Sequence, residues 1–470
     1  MKIYLFNTLS GKKELLVKPK GRPLRLFVCG PTVYDDPHIG NGRTYVFFDT
    51  LVKYLRSTGL KVFYLQNITD IDDKIIARAH AEKVSFSKIA ETYLAVYFRD
   101  MKALGVTAVT KYARATKYIP QIQKQIEVLL KKGYAYEIAK DGIYYDVSKF
   151  RDYGKLSRRT TVQAESGVSR IDESIHKKNK ADFALWKFGH TKAPMQIING
   201  EPAWPSPWGL GRPGWHIEDT AITEYFFGPQ YDIHGGAVDL KFPHHEAEIA
   251  QQEAASGKKP LVKIWMHGGF LTLEDQKMSK SLGNFMTIDQ FLKNTSPEVF
   301  RLMTLSHHYR SPLNYTVKLN KEMKLKWLAI LEFLAKAEVG AKSSLVKKSR
   351  VSNLAKFEKE FTLALADDFN TPAALGILFK FIGELQPKLW QLSRVEAKQI
   401  LKKIRKTLKT LGFSFKFPQI PLKIKGLARE RENLRKNQQF VQSDSLRKKA
   451  NDLGFLIEDS PLGPFVWPKS

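Results

Sequence analysis

Two short stretches combine residue types that suit phosphate chemistry. The segment PHIGNGR at 37–43 places His38 one turn before a predicted helix, with glycines that let the backbone approach a ligand closely. A helix N-terminus attracts anions through its exposed N–H groups, and a neighbouring imidazole can donate to phosphate oxygens. The segment QKMSKSLGN at 276–284 carries Lys277 and Lys280 in a loop of Ser and Gly. Two such cations can close over a triphosphate and stabilise charge on a departing pyrophosphate.

Taken singly, each stretch also has a purely structural explanation. A histidine ahead of a helix is more often part of a capping loop that does no chemistry, and a loop with two lysines is often solvated surface. The two stretches occur here in this order, about 240 residues apart. Their pairing favours the functional interpretation over chance.

A third group of residues has the types and spacing of metal ligands. Cys29 is the only cysteine of the chain and ends an apolar run. His244 and Glu248 are four residues apart in FPHHEAEIAQ, so they share one face of a predicted helix. A lone cysteine is more often a small buried hydrophobe, and a His/Glu pair at this spacing is commonly a solvent-facing ion pair. A predicted Gly-Gly turn at 235–236 and the dense His and Asp content before the pair argue against plain surface.

The elements predicted around these residues form a parallel sheet covered by helices. PLRLFVCGPT predicts a strand that ends in a tight turn, and NGRTYVFFDTLVKYLRSTG predicts a helix that ends at a glycine. KVFYLQNIT predicts a second strand, so strand, helix and strand follow one another as a βαβ unit. Ligands of such sheets bind beyond the carboxyl ends of the strands, where Cys29 and His38 are therefore expected.

Composition indicates a folded, basic protein of several domains. The chain has 470 residues, 43% of them hydrophobic and 12% aromatic, which excludes a disordered chain. A single cysteine excludes an internal disulfide framework and fits a reducing compartment. No signal peptide and no membrane-spanning run is predicted, so we expect a cytoplasmic protein without a membrane partner.

Charge is the strongest bulk signal. Lys and Arg number 76 against 47 Asp and Glu, which gives a formal net charge of +29. Such an excess attracts polyanions and speeds encounters with them, and the basic residues are spread over much of the chain. A lysine-rich proteome, whose lysines only solvate the surface, is the alternative. RNA or DNA is a plausible partner on this ground alone.

Six stretches along the chain form a recognisable set: CGPTVYD, HIG, NITDIDDKI (67–75), GRPGWHIED (211–219), DIHGGAVDLKFPHHEAEIAQ and KMSKSLGN. The HIG and KMSKS signatures resemble those of class I aminoacyl-tRNA synthetases, and the whole set resembles the cysteinyl-tRNA synthetase family. The resemblance extends over nearly the whole chain, including LADDFNTPAAL at 365–375. It implies ATP-dependent attachment of L-cysteine to tRNA(Cys) through a cysteinyl-adenylate, with magnesium accompanying ATP, one zinc ion per chain and a monomeric enzyme.

The resemblance also implies a fold and a domain order. The expected fold is α/β, with a Rossmann-like parallel-sheet catalytic domain, an inserted α+β segment, an α-helical bundle and a small C-terminal anticodon-binding domain. The predicted boundaries are 1–115 with 206–275 for the split catalytic domain, 116–205 for the insertion, 276–310 for the KMSKS loop and stem-contact region, 311–410 for the bundle and 411–470 for the last domain.

The family's zinc ligands map onto Cys29, Asp219, His244 and Glu248. In the family, zinc binds the thiolate of the substrate. Shape alone separates cysteine from serine by only about 10–200-fold, and the metal adds selectivity because a soft thiolate binds zinc more strongly than a hydroxyl does. Asp219 stands where the commonest family pattern has a second cysteine. Asp can ligate zinc, but the site would be harder and less zinc-selective. Alternatively Asp219 is no ligand, and the metal is weakly held or absent.

The remaining roles follow from the same resemblance. His38 and Asn41, which replaces the last His of the HIGH signature, are expected to contact ATP phosphates. Lys277 and Lys280 are expected to stabilise the transition state of adenylate formation. The other assignments are Asp239 for the ATP ribose, Trp215 and His234 for the walls of the cysteine pocket, and Trp467 for stacking on the tRNA anticodon.

Two other functions stay open at this point. One is a paralogue that joins activated cysteine to a small amine, although the basic C-terminal third would then have no use. The other is a non-catalytic RNA-binding relative that has lost its metal, although the KMSKS loop retains both lysines.

The charge predicts salt-sensitive tRNA binding. Phosphate neutralisation releases counterions, so we expect the association constant for tRNA to fall steeply and log-linearly between about 50 and 200 mM salt. Titrations of labelled tRNA at several salt concentrations measure the slope. A nearly flat plot would contradict the interpretation of the +29 charge as a polyanion-binding surface.

Overall fold

The computed structural model describes residues 1–159, 176–189, 202–277, 285–343, 345–349 and 353–469. They form two compact units. The first consists of Met1–Asn294, Tyr309–Asn314 and Ala366–Phe369, and the second of Thr295–His308, Tyr315–Leu365 and Asn370–Ser470. No helix in the described part of the chain is both long enough and apolar enough to cross a membrane.

Strands and helices are numbered here in chain order. The strands are β1 (Tyr4–Asn7), β2 (Lys12–Leu15), β3 (Leu24–Val28), β4 (Val62–Ile68), β5 (Lys111–Arg114), β6 (Ala135–Ile138), β7 (Gly142–Tyr145), β8 (Phe183–Phe188), β9 (Gly211–Pro213), β10 (Tyr231–Ala237), β11 (Val262–Gly268), β12 (Leu271–Leu273), β13 (Gln276–Lys277), β14 (Leu313–Tyr315), β15 (Phe455–Glu458) and β16 (Phe465–Pro468). The α-helices are α1 (Ile39–Ser57), α2 (Asp73–Glu82), α3 (Phe86–Ala103), α4 (Ile119–Lys131), α5 (Trp215–Phe227), α6 (His244–Ser256), α7 (Ile288–Asn294), α8 (Pro297–Leu305), α9 (Val317–Ser343), α10 (Leu354–Ala366), α11 (Thr371–Leu385), α12 (Arg394–Thr410), α13 (Leu422–Lys436) and α14 (Phe440–Asp452).

A five-stranded parallel sheet is the centre of the first unit. Its strand order is β11-β10-β3-β4-β5, and every neighbouring pair is parallel. Four of the five strands are buried almost throughout, as expected for a parallel sheet with both faces covered. The predicted βαβ unit is β3, α1 and β4, and the predicted Rossmann-like sheet is confirmed.

The predicted Gly-Gly turn is wrong. Gly235 and Gly236 lie inside β10 and pair with Met266 and His267 of β11. A Cβ built on Gly235 would come within 2.3 Å of the Phe48 ring of α1. The glycine is therefore required because helix and strand approach each other closely, and not because the chain reverses there.

The segment between β5 and α5 contains a helix and an antiparallel sheet. α4 carries an apolar stripe that includes Ile122, Ile126 and Leu129, all fully buried. The sheet has the order β6-β7-β8-β9, so the segment has the predicted α+β character. The last strand of this sheet, Gly211–Pro213, lies beyond residue 205, where the insertion was predicted to end. The predicted domain boundaries themselves stay predictions.

The second unit is mainly helical, in agreement with the α-helical bundle that the resemblance implies. Its longest helix, α9, packs against α12. At the C-terminus, α13 and α14 cover the β15–β16 hairpin around a small core of Ile424, Leu427, Ala428, Ala450 and Ile457. The chain therefore ends in a small helix-and-hairpin unit with its own core.

We expect Arg43 to anchor the start of the β12–β13 hairpin. Its buried guanidinium donates to the carbonyls of Gly269, Phe270 and Ser311, with 2.7 Å to the first. Replacing Arg43 with Met leaves buried carbonyls unpaired, so the free energy of unfolding should fall by about 2–4 kcal/mol. Chemical denaturation followed by circular dichroism measures the change.

Arg56→Met, in the same helix, is the matched control. Arg56 donates to Val62 O and to the Thr110 hydroxyl near the surface, so its loss should cost only about 1 kcal/mol. Equal denaturation midpoints for the two variants would contradict the anchoring role of Arg43.

Candidate functional site

Buried acidic and imidazole groups meet beyond the carboxyl end of the central sheet. Cys29 follows β3, and its N–H donates to the Gly235 carbonyl of β10 at 3.1 Å. α6 begins just after β10 and contributes His244 and Glu248, while α5 contributes Asp219. Each of these four side chains is at most 5% exposed. The structure therefore brings together all four residues that the sequence suggested as metal ligands.

The four ligand atoms lie close enough to share one ion. The His244 Nε2 atom is 3.0 Å from Asp219 Oδ2 and 2.9 Å from Glu248 Oε1. Cys29 Sγ is 3.8 Å from the same Glu248 oxygen, and one ligand atom from each residue lies within 4.8 Å of all the others. The second oxygen of Asp219, Oδ1, is buried without a hydrogen-bond partner among the described residues. An unpartnered buried acceptor beside a second carboxylate, that of Glu248, fits a cation.

A second set of ligands overlaps the first. Cys29 and Glu248 also lie within ligand distance of His234 and His245. Cys29 Sγ is 3.1 Å from His245 Nε2 and 3.3 Å from His234 Nε2. His245 was not among the residues predicted from the sequence, although its position directly after His244 in FPHHEAEIAQ was a signal.

Outer hydrogen bonds orient these imidazoles. His216 Nδ1 lies 2.8 Å from His244 Nδ1, and the Tyr231 hydroxyl lies 2.7 Å from His234 Nδ1. Such partners typically fix the ring of a metal-binding histidine so that its other nitrogen faces the ion. Neither His216 nor Tyr231 was among the residues predicted from the sequence.

Burial sets the protonation of the cluster. Burial raises the pKa of the Cys29 thiol, and the negative charges of Glu248 and Asp219 raise it further. Burial alone would lower the pKa of His244, but Glu248 and Asp219 outweigh it and raise this pKa to about 9. In the absence of a cation, the cluster therefore retains protons. A divalent ion would displace them, so the donor set fits a metal such as zinc.

The first predicted phosphate contact lies at the N-terminus of α1. The helix begins at Ile39, and His38 is its N-cap, directly before the helix and not one turn before it. His38 Nδ1 accepts from the N–H groups of Gly40 and Asn41 at 3.0 and 3.3 Å. Burial lowers the pKa of His38 to about 4, so the ring is neutral with its proton on Nε2. Capping therefore leaves an N–H donor for a ligand.

Other predicted site residues lie around these two centres. Asp239 lies in a short 3₁₀ turn after β10, close enough to His38 for its charge to raise the pKa of that ring. The Trp215 ring stacks on His244 with centroids 4.3 Å apart. The backbone of Lys277 pairs with Thr272 in the β12–β13 hairpin, and Lys280 lies outside the described residues.

Trp467 lies in β16 of the second unit and is 6% exposed. Its ring stacks on Phe465, with centroids 5.9 Å apart, and both line a cavity of about 760 Å³ together with Asp444 and Arg447. Only a small part of the Trp467 ring is therefore open to a base. Phe440, which is 54% exposed, offers a larger aromatic surface in this unit and was not among the residues predicted from the sequence.

Comparison with known proteins identifies the family. Residues 16–324 match the model of the class I (C) tRNA synthetase catalytic domain, and residues 360–416 match the DALR domain. The cysteine–tRNA ligase of Thermodesulfovibrio yellowstonii is 41% identical over 97% of this chain and 98% of its own length. The chain belongs to the cysteine–tRNA ligase family. Relatives of the same name from Thermoplasma acidophilum and Persephonella marina are 41% and 39% identical over 97% and 100% of this chain, and over 98% and 100% of their own lengths.

Solved structures support the fold of this cysteine–tRNA ligase family member. The methionyl-tRNA synthetase of Mycobacterium tuberculosis, solved with methionyl-adenylate, has a TM-score of 0.58 at 14% identity, covering 83% of this chain and 89% of its own. A LeuRS from Agrobacterium radiobacter, solved with tRNA, has a TM-score of 0.62 at 10% identity, covering 84% of each chain. The family and the class I fold predicted from the sequence are both confirmed.

We expect the two overlapping ligand sets to be distinguishable by mutation. His244→Asn should weaken cobalt binding by roughly 10–100-fold or more, because it removes a ligand from the set that includes the unpartnered Asp219 oxygen. His245→Asn should weaken it less. Cys29→Ser should abolish the sulfur-to-cobalt absorption band, and titrations of the metal-stripped chain with cobalt report both effects.

Glu246→Gln is the matched control, because Glu246 is equally buried in α6 but accepts from Ser157 and Gly154 instead. It should bind cobalt like the unmodified chain. If His245→Asn were the more damaging of the two histidine variants, the set with His234 and His245 would hold the metal.

Proposed function

We propose that this chain attaches L-cysteine to tRNA(Cys) at the expense of ATP, with zinc bound by Cys29, Asp219, His244 and Glu248. The observation that carries the proposal is the buried cluster of these four side chains at the carboxyl end of the parallel sheet. Membership of the cysteine–tRNA ligase family supports the same activity. Zinc, when bound, supplies a soft Lewis acid that selects a thiolate over a hydroxyl.

The reaction has two steps, and neither needs a covalent enzyme intermediate. A carboxylate oxygen of cysteine attacks the α-phosphorus of ATP, and the bond from that phosphorus to pyrophosphate breaks. A ribose hydroxyl of the terminal adenosine of the tRNA then attacks the carbonyl carbon, and AMP leaves as the hydroxyl loses its proton. Positioning and charge stabilisation supply most of the rate enhancement in such displacements.

The proposed nucleotide site begins at α1. His38 offers a neutral Nε2–H to a phosphate oxygen, since its Nδ1 is occupied by the helix cap. The side-chain oxygen of Asn41, Oδ1, accepts from the backbone N–H of His38 at 3.2 Å, so the side-chain nitrogen Nδ2 is the group available to ATP. Asp239 would bind the ribose, and Lys277 with Lys280 would stabilise charge on the departing pyrophosphate, a role that magnesium bound to ATP would share.

The substrate cysteine is proposed to lie between Trp215 and His234. Trp215 is stacked on His244, and His234 is fully buried 3.3 Å from Cys29 Sγ. Both side chains thus border the proposed zinc ligands, where a substrate thiolate would have to bind. Burial lowers the pKa of His234, so this wall is neutral and adds no charge to the centre.

The tRNA is proposed to reach the second unit. The DALR match at 360–416 and the basic, mainly helical C-terminal region support this contact. Trp467 borders the cavity that would accept an anticodon base, although its small exposure leaves most of the stacking to neighbours such as Phe465. The monomeric state and the cytoplasmic location stay predictions.

Cysteine-dependent exchange of labelled pyrophosphate into ATP is the first test. Exchange should occur with cysteine, should be negligible with serine, and should collapse when a strong chelator removes the metal. His38→Asn should lower the exchange rate by roughly 10²-fold or more, since it removes a donor to the reacting phosphates. Glu246→Gln, which is buried but lies outside the proposed site, should leave the rate unchanged.

Addition of tRNA separates the alternatives. Transfer of cysteine to the tRNA supports the ligase, whereas adenylate chemistry without transfer would favour ligation to a small amine. A folded chain that binds tRNA but shows no exchange with any amino acid would refute the enzymatic proposal. Exchange that is indifferent to the chelator would refute the role of zinc alone.

A further inference from the structure

The proposed metal centre has an unusual balance of hard and soft donors. Its four side chains supply one thiolate, one imidazole and two carboxylates. Thiolates favour zinc over the harder divalent ions, whereas carboxylates suit manganese and magnesium. A centre with a single sulfur therefore discriminates weakly among divalent metals.

Asp219 is the residue that gives the centre this character. It lies in α5, where the neighbouring residues Ile217, Thr220 and Ala221 are buried as well. Its Oδ2 faces His244 at 3.0 Å, and its Oδ1 is buried without a partner among the described residues. A cation bound beside this oxygen would give it the strong interaction that it lacks.

Asp219 and Glu248 both approach the imidazole of His244, with oxygens 3.0 and 2.9 Å from its Nε2 atom. A divalent ion at this place would compensate both carboxylates at once, and oxygen donors are compatible with a wide range of divalent ions.

We propose that Asp219 makes this centre a relaxed metal site, which binds Zn²⁺ but accepts Mn²⁺ far more readily than the same site would with a second thiolate. The amino-acid selectivity then depends on the metal. Mn²⁺ is a harder ion than Zn²⁺, so it favours a thiolate over a hydroxyl less strongly than zinc does. The metal preference stands on the donor set alone. Its link to amino-acid choice rests on the proposed function.

Competition between metals tests the proposal on the full chain. The metal-stripped protein is titrated with Zn²⁺ and with Mn²⁺ against chelators of known affinity, and the ratio of the two dissociation constants is compared between variants. Asp219→Cys should raise the preference for Zn²⁺ over Mn²⁺ on the order of 10–100-fold, the scale on which changes around a metal alter its affinity. Cobalt spectra should show a stronger sulfur-to-metal band in the same variant.

Two further variants keep the test decisive. Asp219→Asn preserves the shape but removes the charge, so Mn²⁺ affinity should fall more than Zn²⁺ affinity. Thr220→Cys adds a thiol at the next position of α5, where the hydroxyl of Thr220 donates to Gln125 at 2.6 Å and not to the cluster, and it should leave the ratio unchanged. Circular dichroism verifies that each variant is folded.

Three results would overturn the inference. An unchanged Zn²⁺/Mn²⁺ ratio in folded Asp219→Cys would show that the second donor does not set metal preference. Metal affinities in Asp219→Asn equal to those of the unmodified chain would show that Asp219 is not a ligand. A ratio that rises equally in Thr220→Cys would assign the effect to an added thiol anywhere nearby.

Amino-acid selection is measured separately on the Zn²⁺-loaded and Mn²⁺-loaded chain. The ratio of cysteine to serine in pyrophosphate exchange should be lower with Mn²⁺, and Asp219→Cys should restrict activity to the zinc form. Loss of exchange in every form, with the metal preferences as expected, would refute the proposed function and leave the relaxed metal site standing. Equal cysteine-to-serine ratios with both metals would refute the link between them.

Discussion

The pairing of β3 with β10 is the constraint on which the site depends. The two strands are parallel neighbours, and the backbone bond from Cys29 N–H to the Gly235 carbonyl continues their pairing past the end of β3. That bond fixes Cys29 Sγ 3.3 Å from His234 Nε2, although the residues are 205 positions apart. Because parallel strands all end at the same edge, α5 and α6 need only cover that edge to bring Asp219, His244 and Glu248 to the sulfur.

Burial makes this arrangement costly unless it binds something. Two carboxylates, a thiol and several imidazoles fill a space that an ordinary core would fill with apolar side chains. Several of these polar groups are hydrogen-bonded to one another: His245 lies 2.8 Å from His267, and His267 lies 2.9 Å from the Thr8 hydroxyl. Asp219 Oδ1 has no such partner among the described residues, so this oxygen marks the place where a positive charge would be most favourable. The balance of charge and burial therefore indicates a cation more strongly than any single residue does.

The N-terminus of α1 shows that a structural and a functional role can use one side chain. The cap occupies His38 Nδ1, which fixes the tautomer and leaves the Nε2 proton for a ligand. The alternative of a capping loop and that of a phosphate contact therefore do not compete. The absence of a side chain at Gly235 likewise lets Phe48 of α1 pack closely against β10 beside the site.

The βαβ core, the helical C-terminal region and the family could all be predicted from the sequence, because hydrophobic periodicity and short motifs are local properties of the chain. Residue type and spacing also indicated Cys29, His244 and Glu248 as metal ligands, whereas Asp219 was added only through a resemblance. Three features needed the tertiary structure. His245 joins the cluster because the start of α6 places its Nε2 atom 3.1 Å from Cys29 Sγ, Gly235 must lack a side chain because the Phe48 ring packs against β10, and Trp467 is nearly buried while Phe465 stacks on it. Each of these depends on contacts between residues brought together by folding, for which spacing along the chain gives no measure.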